Sequence, residues 1–272
     1  MKPSSSLAYS RGGSGEPLVL LHGLGSSRQA WNPVIPSLAG QFDVIAVDLP
    51  GFGDSAPLAA DAEPHPAAIA AVVAMTLSSL GIEAPHVAGN SLGGWVALEL
   101  AAVMPVSSIT LLSPAGLWRA RTPVYCRMTL RGQRALARFG GPLLRPLARS
   151  GWARWVLFRQ VVGRPALMSA AEARQAITDL GSAPGFRATL RATLARAYVP
   201  QEPIEVPVSV SFGTRDLVLL PRQSRHLDQL PAHTRVLPLP RTGHVPMTDD
   251  PVAVAALIGG TAHPGTGPGG IA

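Results

Sequence analysis

Thiols and lysines are nearly missing from this 272-residue chain: Cys126 is the only cysteine and Lys2 the only lysine. A single cysteine excludes an internal disulfide and any zinc cluster built from thiolates. Charged residues make up only 14% and hydrophobic ones 47%, which excludes a disordered chain and suits one large α/β domain or two small ones. Long apolar runs are lacking too. The longest, 66–77, is about half the ~20 residues a helix needs to cross a bilayer. The opening MKPSSSLAYSRGG has no apolar core of the kind a signal peptide carries, so a cytoplasmic location is the expectation. No His/Asp/Glu cluster shows metal-ligand spacing, and no cofactor is called for.

What charge there is lies unevenly. Residues 118–200 hold 15 arginines against Glu172 and Asp179, and the rest of the chain holds 8 basic and 14 acidic residues. The arginines come mixed with apolar residues, as in GPLLRPLARSGWARWVLFRQVVG, and no nucleic-acid reading motif accompanies them. Nucleic acid is therefore not an expected partner. The ordinary reading is a helical layer that packs an apolar stripe on the core and solvates its arginines. The sharper reading is weak contact with an anionic membrane surface.

Short apolar runs at 18–21, 44–47, 86–88, 109–112, 208–212 and 236–239 have the composition of buried parallel strands. Helical patterns lie between them, as at 67–80 and 92–103, the latter ending ahead of Pro105. Alternation of this kind predicts a doubly wound, mostly parallel sheet, with ligands bound beyond the carboxyl ends of the strands. Residues 117–200 break the alternation and read as an all-helical insertion, punctuated by Gly140-Gly141-Pro142 and Pro184-Gly185. The chain thus divides into a core at 1–116 and 201–258, the insertion at 117–200, and a Gly/Pro/Thr-rich tail at 259–272 expected to be disordered.

One corner stands out. HVAGNSLGGWVALEL places Ser91 between Gly89 and Gly93, where strand gives way to helix. Side chains at those two positions would collide in so sharp a turn; glycine removes them and lets a serine hydroxyl project over the sheet edge at a helix N-terminus. A serine needs a base, and the base an orienting acid. Of seven histidines, His244 in TGHVP follows a predicted strand on the side where Ser91 belongs. His22 reads as a brace of its own loop, His86 as a structural edge residue, and His65, His226, His233 and His263 as ordinary surface groups. Asp216 in GTRD lies 28 positions before His244 and is also a natural turn former. Asp48 and Asp54 precede Ser91 and read as loop holders, Asp249 and Asp250 as caps of the last helix. Ser113, after the preceding strand, offers no rival carboxylate. The match of 51–56 to a G-x-G-x-x-A dinucleotide signature is discarded, since Pro50 and Pro57 bracket it and no helix follows.

HGLGSSRQAW, DLPGFGDS, GNSLGGWVALELA, SPAGLW, GTRD and TGHVP, in that order, resemble the α/β-hydrolase family over nearly the whole chain apart from the insertion and the tail. The resemblance implies Ser91 as nucleophile, His244 as base, Asp216 as its acid, the amides of Leu24 and Leu92 as an oxyanion hole, and the insertion as a helical lid. It implies hydrolysis of an ester, thioester, lactone or activated C–C bond of a largely apolar small acyl substrate, in a pocket lined from Leu24, Trp118 and the lid. Acyl transfer and non-catalytic ligand binding on the same fold stay open. Members that open epoxides or haloalkanes use an aspartate nucleophile, against which Ser91 speaks. Only about ten residues precede GGSGEPLVLLHG, so the first strand is expected to be missing or short.

Overall fold

The structure, a computed structural model, describes residues 7–265. Seven strands form one sheet: β1 (Tyr9–Gly13), β2 (Glu16–Leu21), β3 (Phe42–Val47), β4 (His86–Asn90), β5 (Ser108–Leu112), β6 (Val208–Ser211) and β7 (Arg235–Val236), in the order β1-β3-β2-β4-β5-β6-β7. All neighbours are parallel except β1, which runs antiparallel to β3.

Period-two geometry explains why the inner strands read as unbroken apolar runs. Val19, Leu21, Ile45 and Val47 enter the core on one face, with α1 (Pro66–Ser79) and α2 (Leu92–Leu100). Leu18, Leu20, Val44 and Ala46 enter the core on the other, beneath α7 (Pro251–Ala262). Both faces are covered, so both sets must be apolar.

Two edges depart from expectation. β1 is a full five-residue strand in which every residue is exposed. With no buried face it carries no apolar alternation, and it is held by register against β3 and by a bidentate Arg11–Asp43 pair. At the other edge β7 spans two residues, not four. Pro238 and Pro240 lack the N–H a ladder needs, and one further bridge, Gly213 to Leu239, continues the pairing.

Between β5 and β6 the chain is helical: α3 (Val124–Leu147), α4 (Gly151–Phe158), α5 (Ala170–Ser182) and α6 (Phe186–Thr193). Gly140-Gly141-Pro142 does not interrupt α3, which passes through Pro142 and Pro146. α5 opens on a capping box, with Ser169 and Glu172 each bonding the other's backbone amide. α3 packs on α5, burying Arg134, Ala137 and Gly141, and buries Cys126 against the core. Its large apolar residues point elsewhere: Leu136, Phe139, Leu143 and Leu147 are exposed. Of the expected apolar stripe on the core α3 supplies a short part: Cys126 is buried in the core and Leu130 packs against it. Buried Cys126 has its thiol pushed up to about 12 by burial, with the Asp216 charge adding to it.

The tail expectation fails at its start. α7 continues through Gly259 and Gly260 to Ala262, because Ile258 and Thr261 are buried and His263 stacks on Phe42 at 5.7 Å. Residues 266–272 lie outside the described residues. No helix among the described residues is long and apolar enough to cross a membrane.

Candidate active site

Ser91 occupies φ 55°, ψ −113°, a conformation that L residues seldom adopt. The surrounding backbone over-determines it. The Ser91 amide donates to the Leu112 carbonyl at 3.0 Å, and its own carbonyl accepts from Gly94 (3.0 Å), Trp95 (3.2 Å) and Ala115 (2.9 Å). A side chain at Gly89 would run into the backbone of Gly93, and one at Gly93 into that of Leu21. The two glycines thus answer close approaches on opposite sides of the turn. Gly23 closes the third side, where a Cβ would lie 3.3 Å from that of Ser91. This brings the His22–Gly25 loop, and Leu24 with it, beside the serine.

Asp216 and His244 meet. His244 Nδ1 lies 2.9 Å from Asp216 Oδ2, and both residues are buried. The other carboxylate oxygen accepts the amides of Val218 (2.8 Å) and Leu219 (2.9 Å), so Asp216 also closes its own turn. Burial works against its charge, but the adjacent imidazole and the two amides outweigh that and leave its pKa lowered. The two loops are laced together: Thr214 N donates to Leu239 O, Arg215 N to Thr242 O, and Gly213 abuts Thr242 and Gly243 so closely that no side chain would fit.

Asn90 ties this pair to the serine. Its buried side-chain amide donates to the His244 carbonyl at 2.9 Å and to the Leu112 carbonyl at 3.0 Å. Among the described residues no hydrogen bond joins Ser91 Oγ to His244 Nε2; in apo sites such contacts are often long and tighten when substrate binds.

Asp249 is a second organiser. Its carboxylate accepts from Gly243 (2.7 Å), Gly163 (2.8 Å) and Arg164 (2.6 Å), locking the His244 loop to the chain leaving α4. It does not share in capping α7: Asp250 alone does that, accepting from Ala253 N at 3.1 Å. Neither Asn90 nor Asp249 is distinguishable in sequence from a polar surface residue, since their partners lie far along the chain.

The other candidates settle into structure. His22 is buried, with Nδ1 2.8 Å from the Gly23 carbonyl and Nε2 accepting from Leu49 N at 3.0 Å. Burial depresses its pKa and keeps it neutral. Asp48 and Asp54 hold the loop through Arg28. His65 caps α1 and meets Trp95 edge-on. His86, Glu16 and His263 gather within 4.8 Å, a trio that spacing did not reveal. It sits at the N-terminal ends of β2 and β4, opposite Ser91. Trp118 is buried against Trp95, its Nε1 donating to Arg196 O at 2.6 Å; it belongs to the core more than to a pocket wall.

The helical insertion reaches the loop beside Ser91. Gly25 lies against Leu180 and Phe186, Ser27 Oγ donates to Asp179 at 2.6 Å, and Gly185 N donates to Gly51 O at 2.9 Å. Burial raises the Asp179 pKa against the pull of its Ser27 and Gln175 hydrogen bonds. Cavities of about 400 Å³ and 770 Å³ lie against the insertion and against α2, and neither is lined by Ser91, Asp216 or His244.

The mostly parallel seven-stranded sheet has a counterpart in one family. Its profile, described as the alpha/beta hydrolase family, matches residues 18–257. The chain belongs to the alpha/beta hydrolase family. This hydrolase is 30% identical to an uncharacterized protein of Mycobacterium tuberculosis, over 92% of this chain and 76% of that one. It is 33% identical to an epoxide hydrolase of the same organism over 71% of this chain and 92% of the relative. Among solved structures, a bacterial membrane phospholipase A superposes with a TM-score of 0.72 at 26% identity, covering 94% of this chain and 83% of the other.

Proposed function

We propose that this hydrolase cleaves a carboxylic ester, thioester or lactone of a largely apolar small molecule, with Ser91 as nucleophile, His244 as general base and Asp216 as the acid that orients it. The observation that carries the reading is the buried 2.9 Å Asp216–His244 pair, fastened by Asn90, the residue before a strained serine. With Nδ1 turned to the carboxylate, Nε2 is the nitrogen left to take the serine proton and return it to the leaving group. Developing negative charge would fall to the amides of Leu24 and Leu92, the latter first in its helix and therefore without an intrahelical acceptor. The insertion, resting on Gly25, would act as a lid.

The phospholipase relative supports an ester substrate, and the same triad would serve an activated C–C bond. Epoxide opening, named for one relative, is disfavoured by a serine where such enzymes use aspartate. Acyl transfer would need the same residues and an acceptor other than water. The test is labelling by a fluorophosphonate, together with turnover of p-nitrophenyl esters of increasing chain length, for wild type and Ser91→Ala. Labelling lost in the variant, with an optimum at neutral short-to-medium acyl groups, is the expected result. A wild type that neither labels nor turns over any ester would refute the reading and leave ligand binding.

A further inference from the structure

The outer side of the insertion has an arrangement that hydrolysis does not use. No acidic residue occurs between Glu99 and Glu172, and α3 lies wholly within that gap. Val124, Met128, Leu136, Phe139, Leu143 and Leu147 recur at intervals of three, four or eight, which puts them on one side of α3, and all six are exposed. The opposite side, with Cys126, Ala137 and Gly141, is the one packed inward. Arg127, Arg131, Arg138 and Arg145 fall between the two sides by the same spacing. Phe139 is 77% exposed and Leu143 70%. A soluble surface seldom presents so long a stripe of large apolar side chains without a use.

Phe139 also lines the cavity of about 400 Å³ between α3 and α6, whose wall includes Arg131, Arg134, Arg138, Arg187 and Arg191. Elsewhere among the described residues five arginines find carboxylates, among them Arg11 with Asp43, Arg28 with Asp48 and Arg196 with Glu63. None of the five cavity arginines has an ion-pair partner among the described residues. Arg134 is 9% exposed and braces the cavity floor by donating to the carbonyls of Leu180 and Ala183, while its Nε is buried without a partner. Five guanidinium groups without a carboxylate partner, Arg134 at the floor and four around it, lie beside an apolar stripe and are complementary to one kind of surface: phosphate oxygens at the level of the headgroups, acyl chains just beneath.

We propose that the outer face of α3, with the arginine-lined cavity beside it, docks on an anionic phospholipid bilayer, the stripe through Phe139 and Leu143 entering the interface and the cavity taking a lipid phosphate. Arginines flanking an apolar face can keep their stems against it and their guanidinium groups at the headgroups. The docking does not depend on the chemistry at Ser91, and its test reads binding alone.

The experiment is co-sedimentation of the full chain with vesicles of phosphatidylglycerol and phosphatidylcholine, against pure phosphatidylcholine, at low and high salt. Binding to the anionic vesicles only, weakened by salt, is expected. Removing one cavity arginine in Arg138→Gln or Arg187→Gln should lower the partition about fivefold. Phe139→Ser/Leu143→Ser should lower it more than tenfold while retaining the wild-type circular dichroism spectrum and thermal midpoint; both residues are exposed, so folding does not depend on them. Equal binding to neutral vesicles, or no binding to anionic ones at low salt, overturns the proposal. So does a thermal midpoint raised by inorganic phosphate in a protein that does not sediment with anionic vesicles, which would make the cavity a free-anion site. A dimer that dissociates in the Phe139→Ser/Leu143→Ser variant would overturn it too, by assigning the stripe to a second copy.

Discussion

The side-chain amide of Asn90 donates to the main-chain carbonyl of His244 across 154 positions of sequence, at 2.9 Å. One residue before the strained serine thus holds the backbone that carries the imidazole. Asn90→Ala leaves the His244 carbonyl short of a donor, while the Leu112 carbonyl keeps the Ser91 amide, at a cost of about 2 kcal/mol of stability. Because the backbone that carries the imidazole is then less well fixed, kcat on a p-nitrophenyl ester should fall about tenfold with KM little changed. A variant with wild-type kcat would show that the tie does not position His244.

Strain at Ser91 has a separable signature. Ser91→Ala and Ser91→Gly both lack the hydroxyl and should both be inactive, but only glycine accepts φ 55°, ψ −113° without a Cβ penalty. Ser91→Gly should therefore be the more stable of the two by about 1 kcal/mol in urea unfolding. The reverse order would mean that the elbow holds no strain worth relieving.

Asp249 and Asp250 are adjacent but unequal. Asp249→Ala orphans three amides, those of Gly163, Arg164 and Gly243, and should cost at least about 3 kcal/mol. Asp250→Ala removes one helix cap and should cost about 1 kcal/mol. Equal losses on urea denaturation would contradict the distinct roles.

Acid should destabilise the fold through His22 before it does so through Asp216. Burial lowers the His22 pKa below its ordinary 6.5, so on acidification the unfolded chain binds this proton first. Stability is complete above about pH 6.5 and declines as pH drops through that value. The lowered carboxyl of Asp216 adds a further loss only when pH falls below its ordinary 3.8. His22→Gln keeps an acceptor for Leu49 N and should flatten the slope of unfolding free energy between about pH 7 and pH 5. An unchanged slope would place the titration elsewhere, with His65 and His86, also depressed by burial, as the next groups to vary.

Much of the architecture was legible before any coordinates. β2 through β6 announced themselves because strands covered on both faces are built mostly of apolar and small residues. β1 did not, because an exposed edge strand carries no such demand. Ser91 was legible for a steric reason, since a turn this tight requires Gly89 and Gly93. Asp216 read equally well as a turn former, and it is one, holding the amides of Val218 and Leu219 with one oxygen and His244 with the other. The trio of Glu16, His86 and His263 was invisible, as two strands and the end of the last helix, far apart in sequence, bring it together.

By itself the sequence determined the alternation of strand and helix, the elbow and the arginine-rich insertion, because periodicity, backbone sterics and charge are properties of neighbouring residues. Only the tertiary structure decided that Asn90 reaches His244, that Asp249 gathers three amides, and that α3 turns its large apolar side chains to solvent. Burial and hydrogen-bond partnership are relations between distant segments, and no local pattern encodes which segment will arrive.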